Sequence, residues 1–318
     1  MLNSKFASRI RTFLSVKNKV YNLCRCLFKD KLNKNYCSPC QEKYIDLCGK
    51  LVAITGGAGD IGVATAKELL KKHVKHVILA GKDDCEGEEI VEKINAFHGE
   101  GSCSYYHVDV SSCHDFDDFF NAMECKGGID ILINNAGIMR DREWTYEVDV
   151  NYTGVVRGCL NAMRHMGSPK RDEGGVVVNV AGAIGLDTLP YAPIFTATKA
   201  AIIALHRSLS DDFHFEESRI RFVCICPGKT KTRGLQEVNE QMLTPDWGMK
   251  AEESLKKLED QEANHVAEGI VYGIEFGEPG VVFLIENKEL KKVKLPRRHS
   301  ISKHVASCVT NFLRSAEY

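Results

Sequence analysis

No apolar run in the 318 residues approaches the roughly 20 that a membrane-crossing helix needs, so no transmembrane segment is expected. A surplus of one charge is also missing. Forty-two basic side chains against 43 acidic ones leave a formal −1, and no global field points to nucleic acid as a partner. The N-terminus carries basic residues but no uninterrupted apolar core, so no secretory signal peptide is expected. The 13 cysteines, an odd number, then read as reduced thiols of a cytoplasmic protein. What is present is a globular composition, 44% hydrophobic and 27% charged, with length for one large α/β domain or two ordinary ones.

Acid is absent before Asp30, while Lys5, Arg9, Arg11, Lys17, Lys19, Arg25 and Lys29 are basic. Phe6, Ile10, Phe13, Leu14 and Val20 roughly follow helical spacing, with Arg9 and Lys17 intruding on that face. Three readings stay open: a mitochondrial targeting segment, a disordered basic tail, or a helix on a membrane surface. Cys37 and Cys40 have the spacing of a zinc knuckle, but Cys24 and Cys26 make a poor second pair. Unliganded thiols are the expectation, and no metal site is assigned. Residues 1–48 are therefore set apart as an extension.

From Leu51 the pattern changes. LVAITGGAGDIGVATAKELL reads as a buried strand, a glycine turn and an amphipathic helix with Ala66, Leu69 and Leu70 on its apolar face. Gly57, Gly59 and Gly62 fit G-x-G-x-x-G, a spacing that turns the backbone tightly and brings a pyrophosphate against a helix N-terminus. HVILAGKDD is a second strand. The acid that binds adenosine ribose hydroxyls would fall at Gly81, followed by Lys82. A missing acid and a present lysine lean from NAD towards the 2′-phosphate of NADP. Asp83 restores an acid by a one-residue shift, and a solvated turn is the bland alternative. YYHVDV places Asp109 and Val110 at the end of a third strand, and IDILINNAGI is a fourth, closed by Asn135, Ala136 and Gly137. GVVVNVAG and RIRFVCICP add two more, and GVVFLIENKEL reads as the last, with Val281 to Ile285 buried. Alternating strands and helices from Leu51 to Ile285 predict one α/β domain over 49–292. Its sheet would be a doubly wound, Rossmann-like parallel sheet of about seven strands, with helices on both faces.

The buried strand ending in NNAG, the VNYTG string, the TATKAA string and the ending GEPGVVFLIENKELKKV resemble the short-chain dehydrogenase/reductase family. They look most like its insect alcohol dehydrogenase branch, with relatives resembling hydroxyprostaglandin dehydrogenases. The resemblance covers about Leu51 to Lys292. It implies an NAD- or NADP-dependent oxidoreductase acting on a small alcohol or carbonyl, and a homodimer paired through the helices carrying Asn151 and Lys199. It implies cofactor contacts at Gly56, Gly57, Gly59, Ile61, Gly62, Lys82, Asp109, Val110, Asn135, Ala136 and Gly137, then at Lys199, Pro227, Gly228 and Thr230. Thr232 matches a second threonine beside the nicotinamide, for which capping a polar turn is the rival reading. The family form TGxxxGxG meets Asp60 where a glycine belongs; its carboxylate would repel a pyrophosphate unless it points away.

Two working side chains of the resemblance are missing. The serine position is Gly182, flanked by Ala181 and Ala183, and the tyrosine position thirteen residues later is Phe195. Lys199 remains, as does Asn151, which in the family kinks its helix and orders water beside the lysine. Losing a general acid/base costs ~10²–10⁴ in rate. A catalytically impaired or silent protein that still binds a dinucleotide is the first expectation. An active oxidoreductase with an altered proton relay, through Tyr191, water or the substrate, is the second. A structural or storage protein is the third. The segment from Gln236 to Phe276, with Trp247 and Met249, corresponds to the family's substrate lid. The tail 293–318 is basic, with Lys294, Arg297, Arg298 and Lys303, and places Val305, Val309, Phe312 and Leu313 on one helical face.

Overall fold

Strands made of unbroken valine, isoleucine and leucine must be covered on both faces. In the computed structural model, which describes residues 43–167, 174–235 and 238–296, they are. The basic segment before Lys43, its Cys37–Cys40 pair, Arg297, Arg298 and the tail helix at 305–313 lie outside the described residues.

The strands are β1 (Leu51–Thr55), β2 (His76–Gly81), β3 (Cys103–His107) and β4 (Ile131–Asn134), then β5 (Gly175–Val180), β6 (Ile220–Pro227), β7 (Val281–Glu286) and β8 (Glu289–Lys292). They form one sheet in the order β3-β2-β1-β4-β5-β6-β7-β8. Seven of them run parallel, matching the expected doubly wound sheet. The eighth corrects the reading of GVVFLIENKEL as a single strand. Asn287 and Lys288 both have positive φ, 53° and 63°, and reverse the chain so that β8 pairs antiparallel with β7. Two left-handed residues in a row are the requirement of the two-residue hairpin turn that suits twisted strands.

The helices are α1 (Asp60–Lys71), α2 (Asp84–His98), α3 (Cys113–Glu124), α4 (Trp144–Val148) and α5 (Gly154–His165). They continue with α6 (Pro193–Leu209), α7 (Asp212–Ser218), α8 (Val238–Gln241), α9 (Pro245–Lys256) and α10 (Ala263–Phe276). Alternate residues of each strand point to opposite faces, which divides the core in two. Ala53, Ile78, Leu132 and Val177 pack with Phe116, Phe119 and Phe120 of α3 and with α5 and α6. Val52, Ile54, Leu79, Ile133 and Val178 pack with Leu69 of α1 and Ile270 and Ile274 of α10. Leu47, ahead of β1, belongs to the second core, and Lys43 reaches the buried Glu275 at 2.7 Å.

Chain order reverses between β1 and β4, so the connections leaving their carboxyl ends part to opposite sides and open a crevice there. The same reversal seats α6 under β5 and β6 and buries its side chains deeply. His206 of α6 is fully buried, and that burial pushes its imidazole down to about 4. A base whose folded value lies below its unfolded one takes up its proton first in the unfolded chain. Proton linkage therefore adds no penalty above the unfolded value of 6.5 and destabilises the fold progressively as pH falls from there towards about 4. Thermal unfolding should show a smaller fall in midpoint between pH 7 and pH 5 for His206→Leu than for the unaltered chain; equal falls would show that His206 does not carry the effect.

Candidate active site

At the crevice, Gly56 has φ +59°, and a Cβ there would stand 2.8 Å from the Ala136 Cα. A Cβ on Gly62 would stand 2.6 Å from the Gly57 carbonyl oxygen. The turn is therefore as tight as the glycine pattern requires, and it delivers the chain to the N-terminus of α1, whose N-cap is Gly59. Thr55 and Asn135 tie β1 to β4 across it. The Thr55 hydroxyl accepts from the N–H groups of Asn135 and Ala136 at 3.1 and 3.2 Å, and the Asn135 amide donates to the Thr55 and Gly56 carbonyls, both at 3.1 Å.

The Asp60 carboxylate is engaged by the loop after β6. Its Oδ2 accepts from the Arg233 backbone N–H at 2.8 Å, while the Arg233 guanidinium binds the Ala58 carbonyl at 3.0 Å and pairs with Glu86. Arg233 lies in the loop after β6, so an ionic latch joins that loop to the glycine turn and offsets the Asp60 charge. Nothing in the sequence signalled it, because the partners are 173 residues apart.

At the far end of the crevice, Asp109 and Val110 follow β3 rather than end it. Lys82 donates to the Tyr146 hydroxyl at 2.7 Å and pairs with Asp109 at 3.1 Å. Burial raises the Asp109 pKa, but bonds from Ser111 and the Lys82 charge outweigh it and hold the carboxyl below its ordinary value. Asp83 caps α2 through the Glu86 N–H at 3.0 Å, a structural duty. Val110 packs where α5 begins, against Gly154.

The crevice opens into a cavity of about 700 Å³. Ile61, Asn135, Gly137, Lys199, Pro227, Gly228 and Thr230 line one part of it. Ile138, Met139, Ile184, Leu189, Phe195 and Leu255 are among the apolar walls of the rest. Lys199 is 6% exposed; its Nζ lies 3.5 Å from the Val180 carbonyl and 5.5 Å from the centre of the Phe195 ring. Burial pulls the ammonium down to about 8. A Cβ on Gly137 would stand 3.1 Å from Lys199 Nζ and 3.4 Å from Asn151 Oδ1, so these three residues converge. Asn151 sits in a π turn, Asp149–Thr153, between α4 and α5. Its amide closes a two-way bond with Ile138, both arms 2.8 Å, and donates to Thr198 at 3.2 Å.

Tyr191 is directed elsewhere, with its ring 5.8 Å from Lys250 of α9 and outside the cavity lining. The Thr230 hydroxyl is engaged with Gly228 and Gln261, whereas Thr232 faces the cavity. Two acids that sequence reasoning missed lie behind the floor. Asp141 is fully buried and accepts from the Ile194 and Phe195 N–H groups at 2.9 and 3.0 Å, capping α6. Glu147, also fully buried, accepts from the Arg140 N–H at 2.9 Å. Its spacing of four from Asn151 on a helix was the available signal.

A glycine turn on a helix N-terminus at the reversal point of a parallel sheet, with a lysine on the cavity floor and an asparagine behind it, defines a Rossmann-like, dinucleotide-type fold. The family profile described as short chain dehydrogenase matches residues 50–243, and the chain belongs to that family. Its relatives include alcohol dehydrogenase 1 of Ceratitis cosyra, 28% identical over 79% of this chain and 96% of that protein. An alcohol dehydrogenase-related 31 kDa protein of Drosophila immigrans is 26% identical over 85% and 96% respectively. The crystal structure of levodione reductase superposes with a TM-score of 0.65, covering 76% of this chain and 97% of that one at 23% identity, a likeness of fold.

Gly182 has extended backbone, φ 170° and ψ 152°, and a Cβ there meets nothing closer than 3.7 Å. The serine is therefore not barred by geometry. Gly182→Ser should change stability by less than about 0.5 kcal/mol, whereas Gly62→Ala should cost about 1–3 kcal/mol by forcing the turn open. Denaturant unfolding of both variants checks this; equal losses would contradict the described turn.

Proposed function

We propose that this chain binds a nicotinamide dinucleotide and a small, largely apolar alcohol or carbonyl compound, and that it turns the pair over poorly or not at all. The observation that carries the reading is the cavity floor. Lys199 faces the Phe195 ring and the bare Cα of Gly182. The fold's usual proton transfer needs a group on the floor that gives and takes the alcohol proton, and neither residue can.

The cradle fits the dinucleotide. Gly56, Gly57, Gly59 and Gly62 leave the backbone bare at the α1 N-terminus, and Arg233, paired with Asp60 at 3.5 Å, offsets part of the expected repulsion. Ala136 and Gly137 let the chain approach closely, and Pro227, Gly228 and Thr230 border the same cavity. Lys82, already held beside Asp109, favours the phosphorylated dinucleotide over NAD. When bound, the dinucleotide supplies a hydride acceptor or donor. The residues of this chain orient it and, through the apolar walls, exclude water. Ile184, Leu186, Leu189, Leu235 and Leu255 favour an apolar ligand.

A homodimer through α5 and α6 is part of the reading, supported by the exposed Leu160 on α5. Free thiols at Cys48, Cys85, Cys113 and Cys125 support a reducing, cytoplasmic setting. The insect alcohol dehydrogenase branch supplies the expected substrate class.

Restoring both hydroxyls tests the reading. Phe195→Tyr combined with Gly182→Ser should raise dinucleotide-dependent alcohol oxidation at least ~10²-fold. High turnover by the unaltered chain, with no gain on substitution, would overturn it.

A further inference from the structure

Arg233 crosses the crevice from the loop after β6 to the glycine turn. Its Nη2 donates to the Ala58 carbonyl at 3.0 Å, its Nη1 donates to Glu86 in the first turn of α2, and its Nε lies 3.5 Å from Asp60 Oδ1. The backbone N–H of the same residue donates to Asp60 Oδ2 at 2.8 Å, which fixes where the side chain starts. The guanidinium therefore lies along the turn that leads into α1. It also lies near the end of β2, because the Gly57 N–H donates to the Ala80 carbonyl at 3.1 Å. Arg233 borders the cavity described above and, on its other side, a hollow of about 630 Å³ that Ala58, Glu86, Lys93 and Lys231 help to line. The cations of that hollow differ in their partners. Lys93 pairs with Glu89 of its own helix at 2.6 Å, and Lys231 pairs with Glu262 at 2.7 Å. Arg233 instead holds a planar fork of donors across the opening, on acids contributed by two different helices. Its side chain is 55% exposed and that of Glu86 34%. An ion pair so open to water is weak, whereas a guanidinium fork matches a phosphate in shape and charge.

We infer that Arg233 is a phosphate-binding residue of the dinucleotide site, and that Glu86 holds its guanidinium in the free chain and competes with the phosphate for it. The inference rests on the dinucleotide reading above. On binding, Nη1 exchanges Glu86 for a phosphate oxygen, one anionic acceptor for another, and no proton moves. Asp60 stays held by the Arg233 backbone N–H and Nε, so its charge remains offset beside the ligand. Two phosphates share this chemistry: the pyrophosphate against the N-terminus of α1, and the ribose 2′-phosphate near the end of β2. A clasp that merely tied the loop to the glycine turn would need both of its partners. A ligand group with a built-in competitor responds to the loss of each partner with opposite sign.

Calorimetric titration of the full chain with NADH and with NADPH tests this. Arg233→Gln should raise the dissociation constant about tenfold or more, the loss of a bond to a charged group, and Arg233→Lys should recover part of that loss. Glu86→Gln should lower the dissociation constant about two- to fivefold, the reach of an exposed ion pair. A loss confined to NADPH assigns Arg233 to the ribose phosphate, and a loss with both dinucleotides assigns it to the pyrophosphate. Dissociation constants that rise in both Arg233→Gln and Glu86→Gln would overturn the inference and leave a structural clasp. So would an Arg233→Gln variant that binds both dinucleotides as tightly as the unaltered chain. Either result leaves the dinucleotide reading standing, whereas an unaltered chain that binds neither overturns that reading and the inference with it. Should Arg233→Gln fail to fold, Arg233→Lys set against Glu86→Gln carries the same contrast of sign.

Discussion

Everything at the site depends on keeping one ammonium out of water. Lys199 stands on a helix packed under the middle of the sheet, and among the described residues its Nζ meets the Val180 carbonyl, the face of an aromatic ring and, through space, the Glu147 carboxyl. A buried charge of this kind is costly unless its surroundings answer it. The answer here is assembled from elements far apart in sequence. Glu147 comes from α4, Val180 from the end of β5 and Phe195 from the first turn of α6. Asp141 fixes that first turn by capping it, so the acid that neighbours Glu147 also anchors the helix carrying the lysine. The π turn at Asn151 brings α4 against α6 and binds the loop after β4 to the same helix.

On the proposed reading the two hydroxyls expected at Gly182 and Phe195 are missing, while the backbone that would present them is in place. Gly182 is extended and open, and Phe195 holds a ring at the cavity wall. Neither Phe195 nor Gly182 carries a side-chain polar atom that burial would leave unsatisfied. The glycine turn persists beside the cavity floor, with Asp60 held by the Arg233 backbone N–H and guanidinium.

Much of this was legible in the chain. The strand runs, the glycine turn, NNAG and the lysine helix have local patterns, because buried parallel strands and helix N-termini impose them within a few residues. The hairpin to β8 was not, since GVVFLIENKEL carries no glycine or proline at its reversal and Asn287–Lys288 must adopt left-handed angles unaided. Asp141, Glu147 and Arg233 were missed for a different reason. Each looks like a solvated charge in sequence, and only tertiary packing buries or pairs it. The pairing of Lys82 with Asp109, just past the ends of β2 and β3, was not legible either.

The most direct measurement of the central claim is thermal unfolding with NAD, NADH, NADP and NADPH in turn. A dinucleotide at a hundred times its dissociation constant should stabilise the native chain by about 2.7 kcal/mol. The account predicts such a shift, larger for the phosphorylated pair because of Lys82. No shift with any of the four would contradict it and leave the crevice as a structural remnant.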